Sequence, residues 1–228
     1  KISSQYMIGL SATLERKDGL RCVFEWFLGI PVVSICNYDK QNVNVNIYNY
    51  YEEDENFKQV KYTKTNKTVQ YSSIIDNIIN SDKRNLLIIN NVRKCIQQSR
   101  IILIITERRS HLEYLYNNIL LIHNKVGKYM GGMKKEDLKK SEDNDIIIGT
   151  YNMISEGFDL PKLNTLIFAT PKADIEQSVG RILRSSSKSK HDPLIIDIND
   201  ISQKQLSNRS QKRKKYYKKN SFIITQYK

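Results

Sequence analysis

The chain has 228 residues and a formal net charge of +13, which exceeds what solubility requires and indicates a polyanionic partner such as nucleic acid or an acidic membrane surface. Its three cysteines are scattered and lack Cys-x-x-Cys spacing, so the sequence argues against a disulfide framework or a zinc site and favours a reducing intracellular compartment. No apolar run approaches the roughly 20 residues needed to cross a bilayer, and the first residues do not form a signal peptide.

The first 30 residues differ in pattern from the remainder. A short strand is predicted over Met7–Leu10, and an amphipathic helix that ends at Gly29 follows it. Beyond this region, residues Asn37–Asn49 alternate Val and Ile with Asn, as expected of a half-exposed strand at the edge of a sheet.

The rest of the chain alternates helical and strand-like patterns. Two helices are predicted first, and from about residue 100 apolar strands alternate with amphipathic helices. The predicted strands are Ile101–Ile105, Val126–Met130, Ile146–Ile148, Thr165–Ala169 and Leu194–Ile198. The predicted helices are Ser72–Asn80, Asp82–Gln98, His111–Leu121, Lys134–Lys140, Asn152–Ser155 and Asp174–Leu183. This order predicts an α/β fold, with a mainly parallel sheet flanked by helices and a ligand-binding edge at the carboxyl ends of the strands.

The predicted helix Asp174–Leu183 and the residue after it carry the strongest functional pattern. At about 100° per residue, Gln177, Arg181 and Arg184 fall within roughly a 60° arc, opposite a face that contains Ile175 and Val179. Two guanidinium groups fixed in this way are suited to grip a multiply charged anion, because their forks match phosphate oxygens. A nucleotide phosphate is the expected ligand, and a solvated helix face is the alternative.

A second pattern surrounds the predicted strand Ile146–Ile148. Gly149 and Thr150 follow it directly, and Gly157 and Asp159 follow the next short helix. Glycine permits a close approach of the backbone to a ligand, a Thr hydroxyl can hold a phosphate, and a carboxylate can accept hydrogen bonds from a ribose. A capped helix and a tight turn would explain the same residues without a ligand.

The segment Lys204–Lys219 contains eight basic and no acidic residues, with Tyr216 and Tyr217 among them. It could track a phosphate backbone and stack bases, or be a solvated helix, a disordered end or a nuclear targeting signal.

Taken in order, these patterns resemble those of superfamily 2 helicases and translocases. Ser11-Ala12-Thr13 is similar to motif three of that family, Thr150 to Asp159 to motif five, and Gln177 to Arg184 to motif six. Thr106 and Arg108 lie in a stretch that resembles motif four, and Gly131 lies where a further backbone-binding turn is expected. Within the superfamily, the start of the chain is similar to the XPB-like branch and its relatives in large DNA viruses.

The resemblance implies two RecA-like lobes with ATP in the cleft between them and nucleic acid across their top. Arg181, Arg184 and Gln177 would contact the γ-phosphate, with Arg184 as the arginine finger, and Gly157 and Asp159 would lie on the nucleotide side. Five residues would contact the strand's backbone: Thr106, Arg108, Gly131, Gly149 and Thr150. Ser11, Ala12 and Thr13 would couple hydrolysis to movement of the lobes.

The parts that bind ATP and magnesium in the family are missing from this sequence. It contains no Gly-x-x-x-x-Gly-Lys-[Ser/Thr] run and no Asp-Glu pair after a buried strand. We therefore expect residues 1–30 to be the end of a first lobe, 31–200 to be the whole second lobe and 201–228 to be a basic tail.

The expected function is the carboxyl-terminal half of an ATP-dependent helicase or translocase that is inactive as an ATPase by itself. Its cofactors would be ATP and Mg, bound mainly by the first lobe, and its partners that lobe and single- or double-stranded nucleic acid, with DNA favoured and no membrane. It would act in the cytoplasm or nucleus, or in a virion or viral factory. The alternatives are an idle nucleic-acid clamp and an unrelated doubly wound domain that binds a small phosphorylated ligand.

Overall fold

A computed structural model describes residues 6–10, 19–33, 42–65, 67–155, 158, 160–176, 178–180 and 191–228. The chain separates into two compact units, residues 1–39 and 40–228.

In the first unit, helix α1 spans Arg21–Leu28 and ends at Gly29, whose φ of 78° lies in the left-handed region that glycine adopts without strain. The helix agrees with the predicted one. The strand predicted over Met7–Leu10 is wrong, because residues 6–10 have no regular secondary structure. Four apolar residues of α1 are exposed: Phe24, Trp26, Phe27 and Leu28.

In the second unit, the described residues form one sheet of seven strands, and every paired strand is parallel to its neighbour. In chain order the strands are β1 (Asn44–Tyr50), β2 (Ile102–Thr106), β3 (Val126–Tyr129), β4 (Ile146–Thr150), β5 (Thr165–Phe168), β6 (Leu194–Asp200) and β7 (Ile223–Tyr227). Across the sheet their order is β3-β4-β2-β5-β6-β1-β7.

The helices of this unit are α2 (Glu55–Lys58), α3 (Tyr71–Ile79), α4 (Asp82–Gln97), α5 (Arg109–Leu120), α6 (Lys135–Glu142), α7 (Tyr151–Ser155) and α8 (Ser207–Lys219). Residues 176 and 178–180 are also helical, and a single 3-10 turn, Lys204–Leu206, precedes α8.

The helices cover both faces of the sheet. Alternate residues of β2 point to opposite sides, so Ile102 and Ile104 join one apolar core while Leu103 and Ile105 join another. The first core contains buried residues of α3, α4 and α5, and the second contains those of α7 and α8. Burial on both faces explains why the central strands read as continuous apolar runs. The predicted three-layer α/β fold is confirmed.

Two expectations about the sheet's edge and the basic segment need correction. The predicted edge strand is β1, but it pairs with β6 on one side and with β7 on the other. The basic segment supplies α8, and β7 follows it, so residues 207–227 belong to the folded second unit instead of forming a tail.

A buried ion pair fastens α8 to the sheet. The Arg213 Nε donates to both carboxylate oxygens of Asp197 on β6, at 3.1 and 2.8 Å, and the Tyr217 hydroxyl donates to the same carboxylate at 2.9 Å. Both side chains come from one face of the helix because they are four residues apart.

No helix in the described part of the chain is long and apolar enough to cross a membrane.

Candidate functional site at the carboxyl edge of the sheet

The strand register brings the predicted motif residues of β2 and β4 to one edge. Thr106 lies beside Thr150, and Gly149 lies between Ile105 on one side and Tyr129 on the other. These are the carboxyl ends of three adjacent parallel strands, where ligands of open α/β sheets bind.

Gly149 is required by packing at this edge. A Cβ atom at this position would lie 2.7 Å from Cδ1 and 2.8 Å from Cγ1 of Ile154, and 3.3 Å from the carbonyl oxygen of Tyr129. The glycine therefore lets α7 pack directly against the end of β4. That contact explains the residue without the close approach of a ligand that the sequence suggested.

The Thr106 hydroxyl points into the interior. The side chain is fully buried, and its Oγ1 lies 2.8 Å from Nδ1 of His111, whose Nε2 lies 2.9 Å from Oδ1 of Asn85. Burial, together with the nearby positive charge of Arg84, lowers the pKa of His111 to about 3, so the imidazole is neutral at pH 7. In this conformation the predicted contact of the Thr106 side chain with a phosphate is not available, because the hydroxyl serves a buried network.

Thr150 and Arg108 are partly exposed at the same edge. The Arg108 guanidinium donates to Oδ1 of Asp76, with Nε at 3.2 Å, and to the carbonyl oxygen of Ser72 at 3.3 Å. The ion pair is about half open to solvent, so it contributes little to stability and a phosphate can compete for the guanidinium.

Gly131 lies in the turn after β3, beside a second arginine that no sequence motif marks. A Cβ on Gly131 would lie 3.1 Å from Nη2 of Arg109, the exposed first residue of α5. The adjacent Gly132 has a φ of 92°. Arg108 and Arg109 together make the start of α5 basic. The signal in the sequence that could have identified Arg109 was its position directly after Arg108.

Gln177, Arg181 and Arg184 are together called the arginine stripe below. The helix predicted to carry this stripe begins as expected. The backbone N–H of Val179 donates to the carbonyl of Ile175 at 2.9 Å, and both of these side chains are buried in the second core. The predicted buried face is thus confirmed at its described positions. The other predicted site residues, Ser11, Ala12, Thr13, Gly157, Asp159, Gln177, Arg181 and Arg184, lie outside the described residues.

The described residues contain no cluster of His, Cys, Asp and Glu side chains able to hold a metal ion.

A sequence profile and similar curated proteins both indicate a helicase family. The sequence profile described as "Helicase conserved C-terminal domain" matches residues 70–186, just over half of the chain. The chain is 37% identical over 234 residues to "Putative ATP-dependent RNA helicase L396" of Acanthamoeba polyphaga mimivirus, covering 100% of this chain and 44% of that protein. It is 28% identical to "Putative helicase 161L" of Invertebrate iridescent virus 6, covering 100% of this chain and 52% of that one. The chain therefore spans about half the length of these curated relatives.

Solved structures agree with the fold. T4 UvsW superimposes with a TM-score of 0.62 at 21% identity, over 82% of this chain and 41% of UvsW. S. cerevisiae Dbp5 bound to RNA and ADP BeF3 gives a TM-score of 0.52 at 13% identity, over 95% of this chain and 50% of Dbp5. The sheet is that of a RecA-like helicase lobe, and the chain belongs to the family of helicase conserved C-terminal domains.

Proposed function

We propose that this chain is the second RecA-like lobe of an ATP-dependent nucleic-acid helicase or translocase, which moves along a strand by coupling closure of an interlobe cleft to ATP hydrolysis. The observation that carries the proposal is the family match over residues 70–186, together with the alignment of Thr150, Gly149 and the start of α5 at one sheet edge. The names of the mimiviral and other relatives support the dependence on ATP.

In this proposal the arginine stripe contacts the nucleotide. Ile175 and Val179 are buried in the core. The periodicity of the sequence predicts that Gln177, Arg181 and Arg184 lie on the opposite side of the helix. Arg184 acts as the arginine finger that stabilises charge on the transferred phosphoryl group, while Arg181 and Gln177 contact the γ-phosphate. Gly157 and Asp159 lie on the ribose side.

The first lobe supplies the remaining parts of the ATP site. It would hold the β- and γ-phosphates and the magnesium ion, and this lobe would close over them. Ser11, Ala12 and Thr13 would belong to the end of that first lobe and couple hydrolysis to closure. The exposed apolar residues of α1 support this assignment, because a helix with such a surface ordinarily packs against another element.

Nucleic acid would run across the carboxyl edge of the sheet. Thr150, Arg108 and the backbone at Gly131 and Gly149 are the proposed contacts, and Arg109 joins them because of its position beside Gly131. The Thr106 hydroxyl is left out because His111 occupies it. A preference for DNA gains no support, since several relatives are named as RNA helicases and the Dbp5 structure contains RNA.

The test is ATP hydrolysis by the full-length polypeptide and by residues 1–228 alone, each with and without single-stranded RNA or DNA. We expect hydrolysis stimulated by nucleic acid in the full-length protein and none above background in the 228-residue chain. Vigorous turnover by the chain alone would contradict the proposal. Salt-sensitive strand binding without hydrolysis in the full-length protein would instead identify an idle clamp.

A further inference from the structure

The segment between β5 and the arginine-bearing helix, residues 169–172, is held by four side chains from four different helices. Two are arginines on opposite faces of the sheet. Nη1 of Arg84, on α4, donates to the carbonyl oxygen of Ala169 at 2.6 Å, and Nη1 of Arg213, on α8, donates to that of Lys172 at 3.0 Å.

The other two donors are tyrosines. The Tyr151 hydroxyl, at the start of α7, donates to the carbonyl oxygen of Thr170 at 2.6 Å, and the Tyr71 hydroxyl, at the start of α3, donates to that of Pro171 at 2.8 Å. Burial raises the pKa of both tyrosines, so the hydroxyls stay protonated and remain donors at neutral pH. Four consecutive carbonyls therefore each receive a hydrogen bond from a side chain.

Each arginine of this set is itself fixed by an aspartate of β6. Arg84 donates to the two carboxylate oxygens of Asp200 at 2.6 and 3.1 Å, and both side chains are fully buried. Arg213 pairs with Asp197 through its Nε alone, which donates to both carboxylate oxygens at 3.1 and 2.8 Å. The two parallel hydrogen bonds of the Arg84–Asp200 pair fix the orientation of that guanidinium. The Tyr217 hydroxyl donates to the same Asp197 carboxylate that Arg213 contacts, which helps to hold that carboxylate in place.

The same segment also contacts the edge that carries Arg108. The backbone N–H of Glu107, the residue before Arg108, donates to the Thr170 hydroxyl at 2.9 Å. In the other direction, Lys172 is only five residues from Gln177 along the chain. Residues 169–172 thus connect the proposed strand-binding edge with the proposed nucleotide-binding helix.

Residues 169–171 are buried, so their carbonyls need partners within the protein. A buried donor that loses its hydrogen-bond partner lowers the free energy of unfolding by about 1–3 kcal/mol. The four donors and their carbonyls therefore stabilise a single backbone path.

We propose that Tyr71, Arg84, Tyr151 and Arg213 are positioning residues that fix the approach of the arginine stripe to ATP. The inference rests on the proposed function. A catalytic group displaced by about 1 Å can lose roughly 100-fold in rate, so a rigid lead-in to the helix matters for hydrolysis.

The test uses the tyrosines, because Tyr→Phe removes one hydroxyl and keeps the ring. Tyr71→Phe, Tyr151→Phe and the double variant are made in the full-length polypeptide, with Tyr50→Phe as the matched control. The Tyr50 hydroxyl donates to Glu52 at 2.6 Å and lies 3.0 Å from the Ser81 hydroxyl, and neither partner belongs to residues 169–172. We expect kcat for ATP to fall roughly 10-fold in each single variant and further in the double, with KM within about 2-fold.

Hydrogen exchange at the amides of residues 172–180 gives a second readout that does not depend on activity. We expect faster exchange there in the two test variants than in Tyr50→Phe, with similar losses of global stability. Unchanged kcat and exchange in the double variant would overturn the inference, and so would an equal fall of kcat in Tyr50→Phe.

Arg184→Ala, measured in the same assay, separates the two proposals. Loss of hydrolysis in Arg184→Ala with normal kcat in both tyrosine variants would overturn the positioning role alone. Normal hydrolysis in Arg184→Ala would overturn both the arginine finger and the positioning role.

Discussion

A side chain at Gly149 would clash with Ile154, so a substitution there should destabilise the fold. Gly149→Ala should lower the free energy of unfolding by about 1–3 kcal/mol, because the new methyl group meets Ile154 at 2.7 Å. Urea denaturation measures the change. In the double variant with Ile154→Ala, the combined loss should be smaller than the sum of the two single losses, because the clash disappears. If the two single losses simply add up in the double variant, the contact with Ile154 is not the reason for a glycine at position 149.

His111 predicts a dependence of stability on pH. The folded protein holds its imidazole neutral with a pKa of about 3, whereas the unfolded chain binds a proton near pH 6.5. Stability is therefore fully present above pH 6.5 and is lost as the pH falls from 6.5 toward 3. From the slope of about 1.4 kcal/mol per pH unit, the loss at pH 5 should be about 2 kcal/mol.

The control for this effect is His111→Gln, which keeps polar atoms between Asn85 and Thr106 but has no charge to gain. Urea unfolding at pH 7 and pH 5 should show a smaller acid loss in the variant, by about the same 2 kcal/mol. An equal loss in both proteins would assign the acid sensitivity to other groups.

At the residue scale, the sequence predicted which residues lie at the edge but not which way their side chains point. Thr106 and Thr150 are aligned as expected, because strand ends in a parallel sheet are set by apolar runs. The inward hydroxyl of Thr106 depends on His111 and on Asn85 from another helix, and no local pattern encodes such a tertiary contact.

At the scale of elements, strands that are buried on both faces were predicted well. β2, β4 and β5 are continuous apolar runs bounded by polar residues, so their positions follow from composition alone. β7 was missed because it is a short edge strand with exposed residues, and its place depends on pairing with β1. α8 was ambiguous because its buried face contains Arg213, Ser210 and Tyr217 in place of aliphatic residues.

The outer face of α8 carries a lysine stripe, Lys212, Lys215 and Lys219, which are all exposed and fall within about a 60° arc. We predict that replacing all three with Gln in the full-length protein weakens single-strand binding by about 10-fold or more and reduces the salt dependence of the affinity. Fluorescence anisotropy over a range of salt concentrations measures both.

The matched control replaces three exposed basic residues near the amino edge of the sheet, Arg93, Lys94 and Lys125, with Gln. It removes the same net charge. If the α8 lysines contact the strand directly, the control variant should lose clearly less affinity for it. Equal weakening in the two triple variants would mean that the α8 lysines act only through net charge.

In the proposed function, the molecule as a whole contributes one half of an ATP site. The chain spans about half of its curated relatives and matches the family of C-terminal helicase domains. The order of motifs in the sequence was sufficient to predict the family that the comparisons show. How the lobes meet depends on surfaces in both of them, which the pattern of this lobe cannot determine.

The most direct test of the central claim is single-turnover ATP hydrolysis by full-length protein carrying Arg184→Ala, with exposed Arg93→Ala as the control. We expect the rate to fall by about 10³-fold in Arg184→Ala, because the proposed finger would stabilise the transition state, while the Kd for ATP changes only a few-fold. Arg93→Ala should match the unmodified protein. An Arg184→Ala protein that hydrolyses ATP at the unmodified rate would show that Arg184 is not an arginine finger.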